Sequence, residues 1–355
     1  MLTLTCILDG ITDQVLQDLG GKAPLQAAHT PGLDSMAEHH FLSPAAPGLQ
    51  ETSFAGLVMG VETLAPIAPA PLEALARGFR LHGSQVAFTC RLISVGDDTV
   101  VDVSDGLASD SEGQACFQAL NEALDKAGMH FIPTGGPLGV CISDHPALKV
   151  SCEAFCRLNP VDSIGCSWMS QLPGAGLEST YQALADCLAG LELNELRLDL
   201  EEDPINGLLL YGGGLLPQLP AVDQAVEIWS PRPTYLGIAK LLQVPWKNLG
   251  PEHQRFDHAR MVLDKLDEWI EQKEQVMVDL PYLWQSTYKG DLLEKVKTIE
   301  WLDRELISPL LKRAIAGDLE LRVRSLSAVD IRSGACCAGL VDAWTVRAAK
   351  PSTLV

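Results

Sequence analysis

The sequence predicts an α/β protein built on a mostly parallel sheet, with a smaller domain following the larger one or inserted into it. Two observations predict it. Short apolar strands alternate with amphipathic helical stretches along the whole chain, the pattern of a sheet covered by helices on both faces. At 355 residues the chain also exceeds what a single core usually supports, about 250–300 residues, so two domains are expected.

Each element follows from local pattern. Met1 to Asp9 is apolar and ends in Asp9-Gly10, a strand whose C-terminal end is where open α/β sheets bind ligands. It lacks a basic segment and a small-residue cleavage site, so it reads as a buried strand and not a leader. Thr30-Pro31-Gly32-Leu33-Asp34 opens a helix with Thr30 as N-cap and Pro31 in first position. The Pro/Gly-rich stretch 43–50 is a loop that leads into Glu51, Thr52 and Ser53, which are expected to continue it.

Residues 85–95 read as a strand, and Gly96-Asp97-Asp98 turns it into a hairpin with 99–103. Helical spacing returns at 112–127 and 177–190. Residues 135–142 form a loop entering a strand, and 206–211 is a buried strand running into a glycine loop at Gly212–Gly214, which marks close packing beside the strand end. Helices follow at 235–244 and 258–271, with a short apolar strand at 275–280 between them and a single long amphipathic helix at 291–312.

Composition restricts function. The formal net charge is −20, from 26 basic and 46 acidic residues. No basic stripe is present, so nucleic acid and membrane surfaces are excluded as partners. A small phosphorylated or anionic ligand requires a locally basic pocket. No apolar run is long enough to span a bilayer. A cytoplasmic location with its ten cysteines as reduced thiols is expected. The oligomeric state is not legible.

Several blocks carry a family resemblance. Gly20 to Asp34, Pro71 to Gly78, Val86 to Leu92, Pro204-Ile205-Asn206 with Leu210 to Gly214, and Lys289 to Asp303 are collinear with the archaeal-type cofactor-independent phosphoglycerate mutases of the alkaline phosphatase superfamily. The chain resembles that family over nearly its whole length. The resemblance implies an alkaline phosphatase-like three-layer core made of residues 1–91 and 204–355, with 92–203 inserted.

It also implies a chemistry, phosphoryl transfer through a serine assisted by two divalent metals. Asp9 matches the first aspartate ligand and Asp330 a late one. Trp284 and Tyr288 stand where a carboxylate and an imidazole are expected, and Ile331 where the family has histidine. The nucleophile loop places Glu51 at the serine position, with Thr52 or Ser53 reachable by a short shift. Glu51 could instead hold a metal. On the substrate side Arg91 and Arg197 remain, with Asn194 as part of a weak Asn-x-x-Arg element.

Plainer roles stand beside these. Asp9 and Asp330 suit strand-end turns, and Thr52 or Ser53 suits a helix cap. His39 and His40 suit a helix C-terminus. His145 near Cys141, Cys152 and Cys156 lacks a paired second half for zinc, and Cys336-Cys337 fits no redox motif. The resulting expectation is a catalytically impaired, ligand-binding or regulatory pseudoenzyme with no metal or a weakly held one. The alternative is an active metal-dependent mutase or phosphatase-like enzyme with a rebuilt oxygen-ligand site for manganese or magnesium.

Overall fold

The computed structural model describes residues 1–13, 15–36, 50–60, 67–148, 160–171, 176–222, 225–250, 255–272, 275–283, 291–325, 328–329, 336–337 and 343–346. The chain divides into two compact units, residues 1–66 with 219–355, and residues 67–218. The second unit takes in the whole of the expected insert 92–203 together with its flanks. The reason is pairing: the strands entering and leaving the insert bond to one another along their length.

Within the first unit the strands are β1 (Leu2–Ile7) and β2 (Thr12–Asp13). The second unit contributes β3 (Val86–Gly96), β4 (Thr99–Asp102), β5 (Met129–Gly135), β6 (Leu138–Ser143) and β7 (Gly207–Leu215). The chain then returns to the first unit with β8 (Val226–Ser230), β9 (Trp246–Asn248), β10 (Gln275–Asp279) and β11 (Leu319–Arg324). It closes with β12 (Ala328–Val329), β13 (Cys336–Cys337) and β14 (Ala343–Val346).

The main sheet runs β14-β11-β1-β10-β8-β9. All its pairings are parallel except β11 with β14. Parallel strands buried on both faces are rich in apolar residues, which is why Leu2–Ile7, interrupted only by Thr3 and Thr5, and the run Val276-Met277-Val278 were legible. One face packs Leu4, Cys6, Val276, Val278, Leu321 and Val323 with Trp229 and Trp269. The two indoles meet edge-on, 4.7 Å between centroids. A short second sheet orders β13-β12-β2.

The second unit is antiparallel. β3 is flanked by β6 and β7 over its first half and pairs with β4 beyond, and β5 closes the edge beyond β6. The helices Asp110–Leu124 and Glu178–Ala189 cover one face.

Four expectations need correcting. Gly212–Gly214 do not form a loop; β7 runs through them. Their role is close packing: a Cβ on Gly213 would lie 2.1 Å from the Phe88 ring and one on Gly214 2.5 Å from the Ala68 Cβ. Residues 129–135, unassigned at the start of the expected loop, form β5. Glu51, Thr52 and Ser53 do not sit on a loop but in the first turn of the helix Gln50–Met59, which continues the apolar segment that follows them.

The expected long helix 291–312 is three pieces, α-helical at Leu292–Leu302, a π turn at Asp303–Ile307, and α-helical again at Ser308–Ala316. Pro309 lacks an N–H and its ring crowds the carbonyl four residues back, which favours a widened turn.

The widened turn places Asp303. Its buried carboxylate accepts the backbone N–H of Gly32 (2.9 Å) and of Leu33 (2.6 Å). The helix Pro31–Met36 is thus capped from the far end of the chain. Thr30, the expected N-cap, instead donates its hydroxyl to Asp34 (3.1 Å). We expect Asp303→Ala to lower the free energy of unfolding by about 1–3 kcal/mol, since two buried amides lose a charged acceptor. A urea titration measures it, and an unchanged midpoint contradicts the capping role.

Candidate functional site

The site is built from the C-terminal ends of the parallel strands. Along the sheet from β11 to β9, the residues at or just past each strand end are Arg324, Asp9, Asp279, Ser230 with Arg232, and Asn248. The ladder extends past the strands to hold this edge: Leu8 N–H bonds Arg324 O (2.8 Å) and Leu280 N–H bonds Ile7 O (2.9 Å). Gly10 then turns the chain away at φ 82°, a backbone conformation that glycine adopts without strain.

Asp9 and Asp279 are both fully buried, and one arginine serves them both. The guanidinium of Arg232, its side chain 14% exposed, donates through Nη2 to Asp9 Oδ2 at 2.7 Å. It grips Asp279 with two nitrogens, Nε to Oδ2 at 2.8 Å and Nη2 to Oδ1. The Ser230 hydroxyl adds a bond to Asp279 Oδ2 at 2.6 Å and accepts the Arg232 backbone N–H at 2.9 Å. This two-pronged grip is the geometry in which arginine holds a carboxylate most firmly.

Aromatic rings fix the arginine from the side. Its guanidinium carbon lies 3.9 Å from the centroid of Tyr235, and Phe54 stacks on Tyr235, 3.8 Å between centroids and 8° from parallel. The Tyr235 hydroxyl donates to Asp9 Oδ2 at 3.3 Å. Pro233 opens the helix Pro233–Leu241, so the strand β8, Arg232 and Tyr235 are set within six residues.

The electrostatics follow from burial. Burial works against the charge of Arg232, but Asp279, Tyr235 and Asp9 outweigh it and hold the guanidinium well above its ordinary value. Burial pushes the Asp279 carboxyl up, a rise that Arg232 and Ser230 oppose and that the charge of Asp9 reinforces. At the other end of the row, burial and the charge of Arg322 push Arg324 down. Its Nε is buried with no hydrogen-bond partner among the described residues.

These residues do not fit a divalent cation. A metal needs several oxygen or nitrogen ligands with free lone pairs, and both oxygens of Asp279 and one of Asp9 already accept from Arg232. Among the described residues no group of three or more His, Cys, Asp or Glu side chains is placed to hold a metal.

Of the residues singled out from the sequence, Asp9 is in this site. Asp330, Ile331, Trp284, Tyr288, His39, His40, Cys152 and Cys156 lie outside the described residues. Glu51, Thr52 and Ser53 lie on the helix Gln50–Met59 that also carries Phe54, and their side chains are outside the description.

Arg91 and Arg197 are in the other unit, and both are engaged there by protein groups. Arg91 pairs with Asp105 (2.8 Å) and donates to Val103 O (2.5 Å). Arg197 pairs with Glu112 (2.7 Å) and donates to Asp203 O (2.8 Å). Burial works against the Glu112 charge, but Ser109 and Arg197 outweigh it and hold its carboxyl low. Asn194 brackets the backbone of Ile205 with both ends of its amide. Cys141 is buried in the core of that unit, and His145 Nδ1 accepts the Ala147 N–H at 3.3 Å.

Asp279 and Arg232 are the residues sequence reasoning missed. Their signal was present: an acidic residue ending the apolar run Gln275–Asp279, and an arginine between two prolines just after another strand.

With this geometry in view, the comparisons with known proteins fall into place. The family model of 2,3-bisphosphoglycerate-independent phosphoglycerate mutase matches residues 67–189. A 2,3-bisphosphoglycerate-independent phosphoglycerate mutase of Methanosarcina barkeri is 25% identical, over 87% of this chain and 81% of that protein. The one of Methanopyrus kandleri is 26% identical, over 87% and 79%. The chain is similar to this family over most of its length. The fold agrees. The cofactor-independent phosphoglycerate mutase of Thermoplasma acidophilum superposes with a TM-score of 0.55 at 19% identity, over 98% of this chain and 89% of that one. A protein from Pyrococcus horikoshii superposes with a TM-score of 0.69 at 16% identity, over 97% and 87%. The architecture is thus the alkaline phosphatase-like α/β fold, and no helix among the described residues is long and apolar enough to cross a membrane.

Proposed function

We propose that this phosphoglycerate mutase-like chain no longer carries out metal-dependent phosphoryl transfer and acts by binding a ligand or partner instead. One observation carries the reading: Arg232 is seated between Asp9 and Asp279 as a tethered cation, where strand-end carboxylates of this fold converge. A tethered guanidinium neutralises the carboxylates as a metal would. It has no open coordination position, cannot activate a nucleophile as a Lewis acid and cannot exchange.

Two further features support the reading. Tyr235 and Phe54 pack the space beside the guanidinium with apolar surface. On the substrate side, Arg91 and Arg197 are both consumed in ion pairs with the protein. The scaffold is retained while the groups that chemistry needs are neutralised, the profile of a family member kept for recognition. A small phosphorylated or anionic molecule is the ligand class such a scaffold suits.

The test is an assay of 2- and 3-phosphoglycerate interconversion and of p-nitrophenyl phosphate hydrolysis, with manganese, magnesium and cobalt supplied in turn. No turnover above a metal-only blank is expected in any combination. Turnover that depends on added metal and is lost in Asp9→Ala contradicts the proposal.

A further inference from the structure

A cleft in the unit of residues 67–218 carries an inference that does not rest on the strand-end reading. A cleft of about 360 Å³ opens between the chain after the helix Pro69–Ala76, the start of β5 and the end of β6. That volume lies at the lower end of the range for small-molecule sites.

Its lining is divided by chemistry. Met129 and Ile142, 2% and 9% exposed, make an apolar floor, and Phe79, 37% exposed, stands beside them. Arg80, His82 and His130 line the same cleft with polar, nitrogen-bearing ends. Its one carboxylate, Asp144, accepts the Gln85 side-chain amide at 3.0 Å.

Arg80 stands apart from the other cations. Acidic residues far outnumber basic ones in this unit. Its described arginines Arg77, Arg91 and Arg197 are all ion-paired, to Glu73, Asp105 and Glu112. The Arg80 guanidinium forms no ion pair or hydrogen bond with a described residue and lines the cleft together with His82, His130, Met129 and Ile142. A cation left unneutralised among excess carboxylates is the group an anion would select, since arginine offers a planar fork of donors.

We infer that this cleft binds a small organic anion, its acidic head on Arg80, His82 and His130 and its apolar body against Phe79, Met129 and Ile142. Both halves of the lining are required. The head alone binds weakly through exposed donors, and the body alone lacks orientation.

Benzenesulfonate and sulfate, titrated against the full chain by calorimetry, separate the two halves. Benzenesulfonate is expected to bind at one site and more tightly than sulfate. Arg80→Gln weakens both by about tenfold, equivalent to about 1.4 kcal/mol. Phe79→Ala weakens benzenesulfonate alone, by about fivefold, and Lys265→Gln, an exposed lysine of the other unit, changes neither. All three side chains are at the surface, and circular dichroism verifies that each variant folds. Absence of saturable benzenesulfonate binding overturns the inference, as does an affinity that Arg80→Gln leaves unchanged.

Discussion

Arg232→Leu is expected to lower the free energy of unfolding by about 3–5 kcal/mol at pH 7, because removing one partner of a buried ion pair leaves uncompensated charge. Here the loss falls on two carboxylates at once, both at 0% exposure. Arg232→Lys keeps the charge but loses the fork that reaches Asp279 Oδ1, Asp279 Oδ2 and Asp9 Oδ2 together, so an intermediate loss is expected.

The pH dependence has a definite sign. Burial already raises the Asp279 carboxyl while Arg232 opposes the rise. Without the arginine the rise is larger. A carboxyl whose folded value lies above its unfolded one contributes stability below the unfolded value, and that contribution is lost as pH rises through the folded one. The deficit of Arg232→Leu relative to wild type is therefore largest at neutral pH and shrinks as the pH falls towards 5. Denaturant titrations at pH 5 and pH 7.5 measure it, and a pH-independent deficit contradicts the charge argument.

The second large effect concerns the ring that holds the arginine. Tyr235→Ala removes a fully buried aromatic, its stack on Phe54, its contact with the guanidinium and its bond to Asp9. Truncations of buried aromatics cost about 3–5 kcal/mol, and a loss of that size is expected. Because Tyr235 and Arg232 share Asp9 and touch each other, the double variant is expected to lose less than the two single losses added together. Strict additivity in the cycle removes the ground for treating ring, arginine and carboxylates as one assembly.

How much of this was legible follows from which forces act locally. The parallel strands β1 and β10 were readable because burial on both faces favours a mostly apolar run, and Asp9 followed as the polar residue that ends one. Asp279 ends the other in the same way, yet nothing within its own segment says that it faces Asp9. That pairing is made by β1 and β10 lying side by side, some 270 residues apart in sequence.

Arg232 was hidden for a related reason. A lone arginine between prolines reads as a solvated turn residue, and only the order β1-β10-β8 turns it towards two carboxylates. The capping of the helix at Pro31–Met36 by Asp303 is likewise a contact of long sequence separation, and it displaced the local reading of Thr30. Gly212–Gly214 misled in the opposite direction: consecutive glycines usually mark a turn, but here Phe88 and Ala68 leave no space for a Cβ and the strand continues. Patterns of period two and 3.6 exposed the elements, while the partners that decide the chemistry came from topology.

The central claim, that Arg232 takes the place of a divalent cation between Asp9 and Asp279, is tested most directly by manganese calorimetry on the chelator-stripped wild-type chain, with Asp9→Ala in parallel. The account predicts no saturable heat at millimolar manganese in either protein. Stoichiometric binding to the wild type that is lost in Asp9→Ala would contradict it, and would mean that the arginine yields its place to a metal.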